Sequence, residues 1–154
     1  MQILIADKLP EAAVGSLRTA GFSVHLDPSL KGDTLLSAVV ETGAEALVVR
    51  STKVDSSMLE KGQLKLVVRA GAGVNTIDVA AATQLGVAVA NCPGKNSLAV
   101  AELAIGLLIG LDRRIPDAVA DLRAGRWNKA EFSKARGIAG RCLGVVGGGR
   151  IGLR

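Results

Sequence analysis

Aromatic residues are almost missing from this chain, which has one Trp, two Phe and no Tyr in 154 residues. Modules that hold single strands by stacking bases on aromatic platforms are excluded on that ground. The core has to be assembled from Ala, Val, Leu and Ile instead, and a hydrophobic share of 49% is ample for one. Cysteine is equally scarce: Cys92 and Cys142 stand far apart in apolar runs, with no C-x-x-C and only His25 as a further soft ligand. That excludes a disulfide framework and a zinc cluster, and suits a reducing intracellular compartment. Long hydrophobic runs are lacking too. The longest, from Leu98 to Leu111, is interrupted by Glu102 and falls short of the roughly 20 residues of a membrane span. Neither a basic start nor a small-residue cleavage site follows Met1, so the chain reads as cytoplasmic, with no membrane partner. The net charge of +5 leaves an anionic partner open. The cations are dispersed, however, bunching only between Arg113 and Arg141, so nucleic acid is not the expected partner.

What the chain does have is a rhythm. Short apolar runs, "ILIA" (Ile3 to Ala6), "SVHL" (Ser23 to Leu26), "ALVVR" (Ala46 to Arg50), "LKLVVRA" (Leu64 to Ala70) and "VAVANC" (Val87 to Cys92), alternate with helical patterns. Several of these runs are continuously apolar, as strands are when helices cover both faces of their sheet. Pro10 and Glu11 start a first helix with Ala13, Leu17 and Ala20 on one face, and Gly21 stops it. Asp33 or Thr34 caps a second helix that Gly43 closes, Asp55 caps a third, and Asp78 caps a fourth that runs to Gly86. The pattern predicts a doubly wound parallel α/β sheet whose ligand lies beyond the carboxyl ends of the strands.

After Cys92 the rhythm changes. "PGKNS" ends in Asn96 and Ser97, both good N-caps, and launches a helix, Leu98 to about Leu111, that is apolar nearly all round and so is expected to be buried between bodies. A charged stretch follows, with a short helix bounded by Pro116 and Gly125, and then "CLGVVG", Cys142 to Gly147, reads as a new buried strand. The division is placed near Asn96, giving residues 1–96 and 97–154.

Three loops carry chemistry. Gly147, Gly149 and Gly152 form a G-x-G-x-x-G after the last apolar run: one glycine for the tight turn, one for close backbone approach to a pyrophosphate, one for helix packing. Only two residues follow the motif, which leads to the expectation of an N-terminal portion ending inside a cofactor site. "VRSTK" puts Arg50 and Ser51 at the end of the third strand, where they form either a fork for a carboxylate or phosphate or a surface salt bridge. "RAGAGVNTID" puts Gly71, Ala72 and Gly73 at the end of the fourth, either as backbone N–H donors to an anion or as turn geometry alone. Asn96 is a helix cap that also faces the crevice. His25, in the second strand, has no acid or nucleophile patterned around it and reads as structural or solvent-facing. Glu102 reads as a buried or interface hydrogen-bonding group, and Lys95, Arg113 and Arg114 as solvated.

Taken in order, "VRS", "RAGAGVNTID", "NCPGKNSLAVAEL", "RRIP", "GRW" and "GVVGGGRIG" resemble the D-isomer-specific 2-hydroxyacid dehydrogenases over essentially the whole chain. The resemblance implies a flavodoxin-like substrate-binding domain at residues 1–96. The linking helix, arm and first strand of a Rossmann NAD-binding domain are then expected at 97–154. It implies hydride transfer between NAD and a D-2-hydroxy acid, with 3-phosphoglycerate, a substrate of serine biosynthesis, as the expected acid. Hydroxypyruvate or glyoxylate reduction is the near alternative, and a non-catalytic nucleotide-sensing or partner-binding relative the distant one. Arg50 and Ser51 would meet the phosphate or carboxylate side of the substrate, Gly71, Ala72 and Gly73 its carboxylate, and Asn96 the same cleft. Ala72, Gly147, Gly149, Arg150, Ile151 and Gly152 would contact NAD. The family's catalytic Arg, Glu and His fall after the fingerprint, so no catalytic residue is expected in this chain, which would be inactive alone. The Leu98–Leu111 helix and the arm around Trp127 would serve a homodimer or higher oligomer. Asn75 replaces the usual Asp and Lys95 a commonly small residue; the first keeps the local turn bond, and the second bears on substrate preference.

Overall fold

The structure is a computed structural model and describes residues 1–154. The apolar runs become five parallel strands: β1 (Gln2–Ile5), β2 (Ser23–Leu26), β3 (Ala46–Val49), β4 (Leu66–Arg69) and β5 (Ala88–Asn91). They are arranged in the order β2-β1-β3-β4-β5. This is the flavodoxin-like order, in which the direction of winding reverses between β1 and β3. Helices α1 (Glu11–Thr19), α2 (Asp33–Thr42), α3 (Ser56–Lys61) and α4 (Val79–Gln84) connect the strands. Side chains alternate across the sheet. Leu4, Leu47, Val49 and Val67 pack with Leu35 and Val39 of α2, Met58 and Leu59 of α3 and Ala82 of α4. Ile3, Ile5 and Ala46 pack with Val14 of α1 in a second, smaller core. The edge strand β2 is mostly exposed.

Local signals set the helix ends. Asp55 Oδ1 accepts from the Met58 N–H at 3.1 Å, and Asp78 Oδ1 from the Ala81 N–H at 2.9 Å. A cap of this kind contributes about 0.5–2 kcal/mol. Gly43 closes α2 in the left-handed conformation, as expected. Two local expectations shift. The N-cap of α2 is Gly32, with φ +51°, and Asp33 lies inside the first turn, while Thr34 turns its hydroxyl back onto the Lys31 backbone. The buried face of α1 is Val14 with half-buried Leu17, while Ala13 and Ala20 face solvent. The larger Val14 outweighs two alanines in choosing which face turns inward.

The chain divides into two compact units, Met1–Lys95 and Asn96–Arg154. The second unit contains α5 (Ser97–Asp112), α6 (Ile115–Arg123) and α7 (Lys129–Phe132). Arg114, at φ +51°, makes the corner between α5 and α6. Rather than being merely solvated, it pairs with Asp117 at 3.1 Å and Glu131 at 2.8 Å and stacks over Phe132. Asp112 receives the Gly137 N–H at 2.9 Å and Arg141 at 3.2 Å, tying the later chain back to α5. Helix α5 leaves Leu103, Leu107 and Leu111 61%, 64% and 79% exposed, because an all-round apolar helix offers more surface than α6 can cover. Glu102 is likewise exposed. One expectation fails in this unit. The stretch Cys142 to Gly147 is not a strand, and Leu143, Val145 and Val146 are exposed. A strand needs a neighbour to take up its N–H and C=O groups, and this unit contains none. Both cysteines are free and exposed. No helix is long and apolar enough to cross a membrane.

Candidate functional site: a cationic edge at the ends of β3 and β4

The chain leaves β3 directly into Arg50, Ser51 and Thr52, and their backbone N–H groups converge on one oxygen. Asp7 Oδ2 accepts from Arg50, Ser51 and Thr52 at 2.7, 3.1 and 3.0 Å, while Asp7 Oδ1 accepts from the Ser51 hydroxyl at 3.0 Å. Asp7 stands just past β1, which pairs with β3 in the sheet, and the Ala6 N–H donates to Val48 O at 3.0 Å immediately before it. Partial burial pushes the Asp7 carboxyl up, but the backbone donors of Arg50, Thr52 and Ser51 outweigh it and bring it down to about 2. The Ser51 hydroxyl proton is thus committed to Asp7 rather than free for a ligand. The Arg50 side chain is in no ion pair, so the surface salt bridge considered for it is not formed. Beside this loop lies a cleft of about 410 Å³ lined by Lys31, Ser51, Thr52, Lys53, Asp55 and Met58. Its one carboxylate, Asp55, is engaged in capping α3 and receiving Ser57, so Lys31 and Lys53 leave the cleft cationic.

The second loop is anchored by its carbonyls. Gly71 O accepts from the Cys92 N–H at 2.9 Å, Ala72 O from Asn91 Nδ2 at 2.7 Å, and Gly73 O from Arg69 Nη1 at 2.8 Å. Gly71 N–H donates to Arg69 O at 2.7 Å, whereas the Ala72 and Gly73 N–H groups meet no protein acceptor. With every carbonyl tied and two donors free, the loop presents positive ends of backbone dipoles. The Arg69 guanidinium lies against Gly71 and Gly73, where an added Cβ would sit 3.1 and 3.3 Å from Nη1, and its Nε is buried without a partner. Arg69 pairs in register with Val49 on one side and Asn91 on the other, so this loop neighbours that of Arg50. The structure therefore brings Arg50 and Ser51 beside Gly71, Ala72 and Gly73.

Asp7, Arg69 and Asn91 escaped the sequence reading. Each is a polar residue at the end of an apolar run, on the edge where a doubly wound sheet binds its ligand, and that position was the available signal. The remaining expected residues lie elsewhere. Asn96 begins the second unit as N-cap of α5, with no side-chain bond to the helix. His25 is exposed on β2, and Lys95 is exposed. In the glycine fingerprint, Gly147 takes φ +109°, which L side chains rarely adopt. A Cβ at Gly152 would run into the Gly147 carbonyl oxygen. The Leu153 N–H bonds Gly149 O at 3.2 Å, closing a first helical turn in which Arg150 and Ile151 are exposed.

The family model "D-isomer specific 2-hydroxyacid dehydrogenase, catalytic domain" matches residues 3–145. The D-3-phosphoglycerate dehydrogenase of Methanocaldococcus jannaschii is 43% identical over 154 residues, 99% of this chain and 29% of the relative. That of Mycobacterium bovis is 45% identical over 152 residues, 97% of this chain and 28% of the relative. In fold, the chain is similar to the NAD-dependent formate dehydrogenase of Staphylococcus aureus solved with NAD. The TM-score is 0.86 at 24% identity, over 99% of this chain and 51% of that one. The chain thus spans under a third of the curated relatives' length. With its β2-β1-β3-β4-β5 sheet and a family match running almost from end to end, the chain belongs to the D-isomer-specific 2-hydroxyacid dehydrogenases.

Proposed function

We propose that this chain, as residues 1–95 and the unit that follows, supplies the substrate-gripping part of an NAD-dependent dehydrogenase acting on 3-phosphoglycerate. One observation carries the reading: two separate anion grips lie on adjacent strand ends. The first is the cleft lined by Lys31 and Lys53, beside the strand end from which the unpaired Arg50 leaves β3. The second is the free N–H pair of Ala72 and Gly73. A substrate with a phosphate at one end and a carboxylate at the other uses both, whereas glyoxylate or lactate has only one anionic group to offer. Neutral N–H donors suit a carboxylate that must be oriented, and long cationic side chains suit a phosphate. Holding both ends turns the reacting carbon in one direction, which is the main contribution a binding domain makes to rate. Ser51 lines the first grip with its proton turned to Asp7.

The Gly147–Gly152 turn fits a dinucleotide, since Gly147 and Gly152 allow the tight backbone that a pyrophosphate requires. Gly147, Gly149, Arg150, Ile151 and Gly152 would hold the pyrophosphate. NAD, when bound, supplies the hydride acceptor. The chain's one imidazole, His25, is exposed on β2. The exposed apolar face of α5 and the arm around Trp127 fit a second copy of the chain, and the assembled enzyme would be a cytoplasmic homo-oligomer.

NMR titration tests this directly. With 3-phosphoglycerate, amide shifts are expected at Arg50 to Lys53 and at Ala72 and Gly73; with D-lactate, only at the second pair. Identical patterns for both ligands would refute the phosphate assignment. The chain with NAD and 3-phosphoglycerate should form no NADH.

A further inference from the structure

We propose that Asp7 is the positioning residue of the first anion grip, a role that rests on the function proposed above. Its two oxygens take four donors from the loop after β3, the three N–H groups of Arg50, Ser51 and Thr52 on Oδ2 and the Ser51 hydroxyl on Oδ1. Two consequences follow from that arrangement. The first is geometric. Three consecutive amides are fastened to the end of β1, across more than forty positions of sequence, so the Cα from which the Arg50 guanidinium extends is held to the sheet rather than to a free loop.

The second is electrostatic. A convergent run of backbone N–H groups is itself an anion-binding concavity, and here an internal carboxylate occupies it. A ligand anion is therefore turned away from the backbone and left to the side chains. Asp7, being satisfied by neutral donors, pairs with neither Arg50 nor Lys53. The negative charge that builds the loop thus leaves its cations open. Replacing the carboxylate by an amide would put an NH₂ group against donors and leave some of them unmet, at a cost that moves the loop. Asp7 touches no substrate in this scheme and acts through Arg50.

A double-mutant cycle decides the matter, with 3-phosphoglycerate as the probe and NMR-monitored binding to the full chain at neutral pH. In the wild-type background, Asp7→Asn should weaken binding by about tenfold, the size expected for coupled neighbours. In an Arg50→Ala background, already weakened, it should change affinity by less than about twofold. The Arg50, Ser51 and Thr52 amide signals should lose the downfield shift of bonds to a carboxylate, while Met58 and Ala81, capped by Asp55 and Asp78, stay in place. Should Asp7→Asn fail to fold, Asp7→Ala with excess formate replaces it, and formate filling the vacated nest should restore both the amide positions and part of the affinity. Equal losses in both backgrounds would make Asp7 a structural residue only and overturn the proposal. So would unchanged binding by Asp7→Asn, or a lack of formate rescue. Failure of the wild-type chain to bind the probe at all would refute the anion-site reading first and this inference with it.

Discussion

Acid should destabilise this fold in part through Asp7, whose carboxyl the loop after β3 holds below its ordinary value. The carboxyl titrates near 3.8 when free and at about 2 in the folded chain. A folded-state value below the unfolded one means that the group stabilises the fold above pH 3.8. That contribution is lost as pH falls toward 2 and the proton binds. At full strength the shift is worth about 2.4 kcal/mol. Because the carboxyl is only half-buried, solvent screening reduces this to about 1 kcal/mol. Urea unfolding at pH 6, 4 and 2.5, followed by circular dichroism, measures it. The wild-type chain should lose about 1 kcal/mol more than Asp7→Asn between the upper and lower pH, since Asn cannot titrate there. Parallel losses in the two proteins would show that the three N–H bonds to Asp7 do not hold in solution.

Two further outcomes follow from the packing. Leu47→Ala, at a fully buried position of the central strand β3, should cost about 2–5 kcal/mol by urea denaturation; a cost under 1 kcal/mol would contradict the place of β3 in the core. The exposed Leu103, Leu107 and Leu111 should make the chain self-associate as concentration rises, and Leu107→Lys should lower the mass seen by light scattering; a wild-type monomer at every concentration would refute this.

Much of this protein is determined within a few residues at a time. The runs around Leu4, Leu47 and Val67 become the strands expected of them, because continuous apolarity suits a sheet covered on both faces. Asp55, Asp78 and Gly43 set helix ends because a cap bonds only to the turn beside it. The loops holding Arg50 and Gly71 to Gly73 were legible for the same reason, being the first polar or glycine-rich residues after apolar runs. What fastens those loops was not. Asp7 meets Arg50 only because β1 pairs with β3, and Asn91 ties down the Ala72 carbonyl only because β4 pairs with β5, whereas Arg69 reaches Gly73 O within its own strand end. Conversely, the apolar pattern from Cys142 to Gly147 names a strand but cannot provide its neighbour, and α5 carries an apolar surface its own unit does not cover. Periodicity encodes which surface a segment can bury and which hydrogen bonds close within a turn. Only the tertiary structure decides which distant donor finds which acceptor, because that depends on strand order and register rather than on any residue's immediate neighbours.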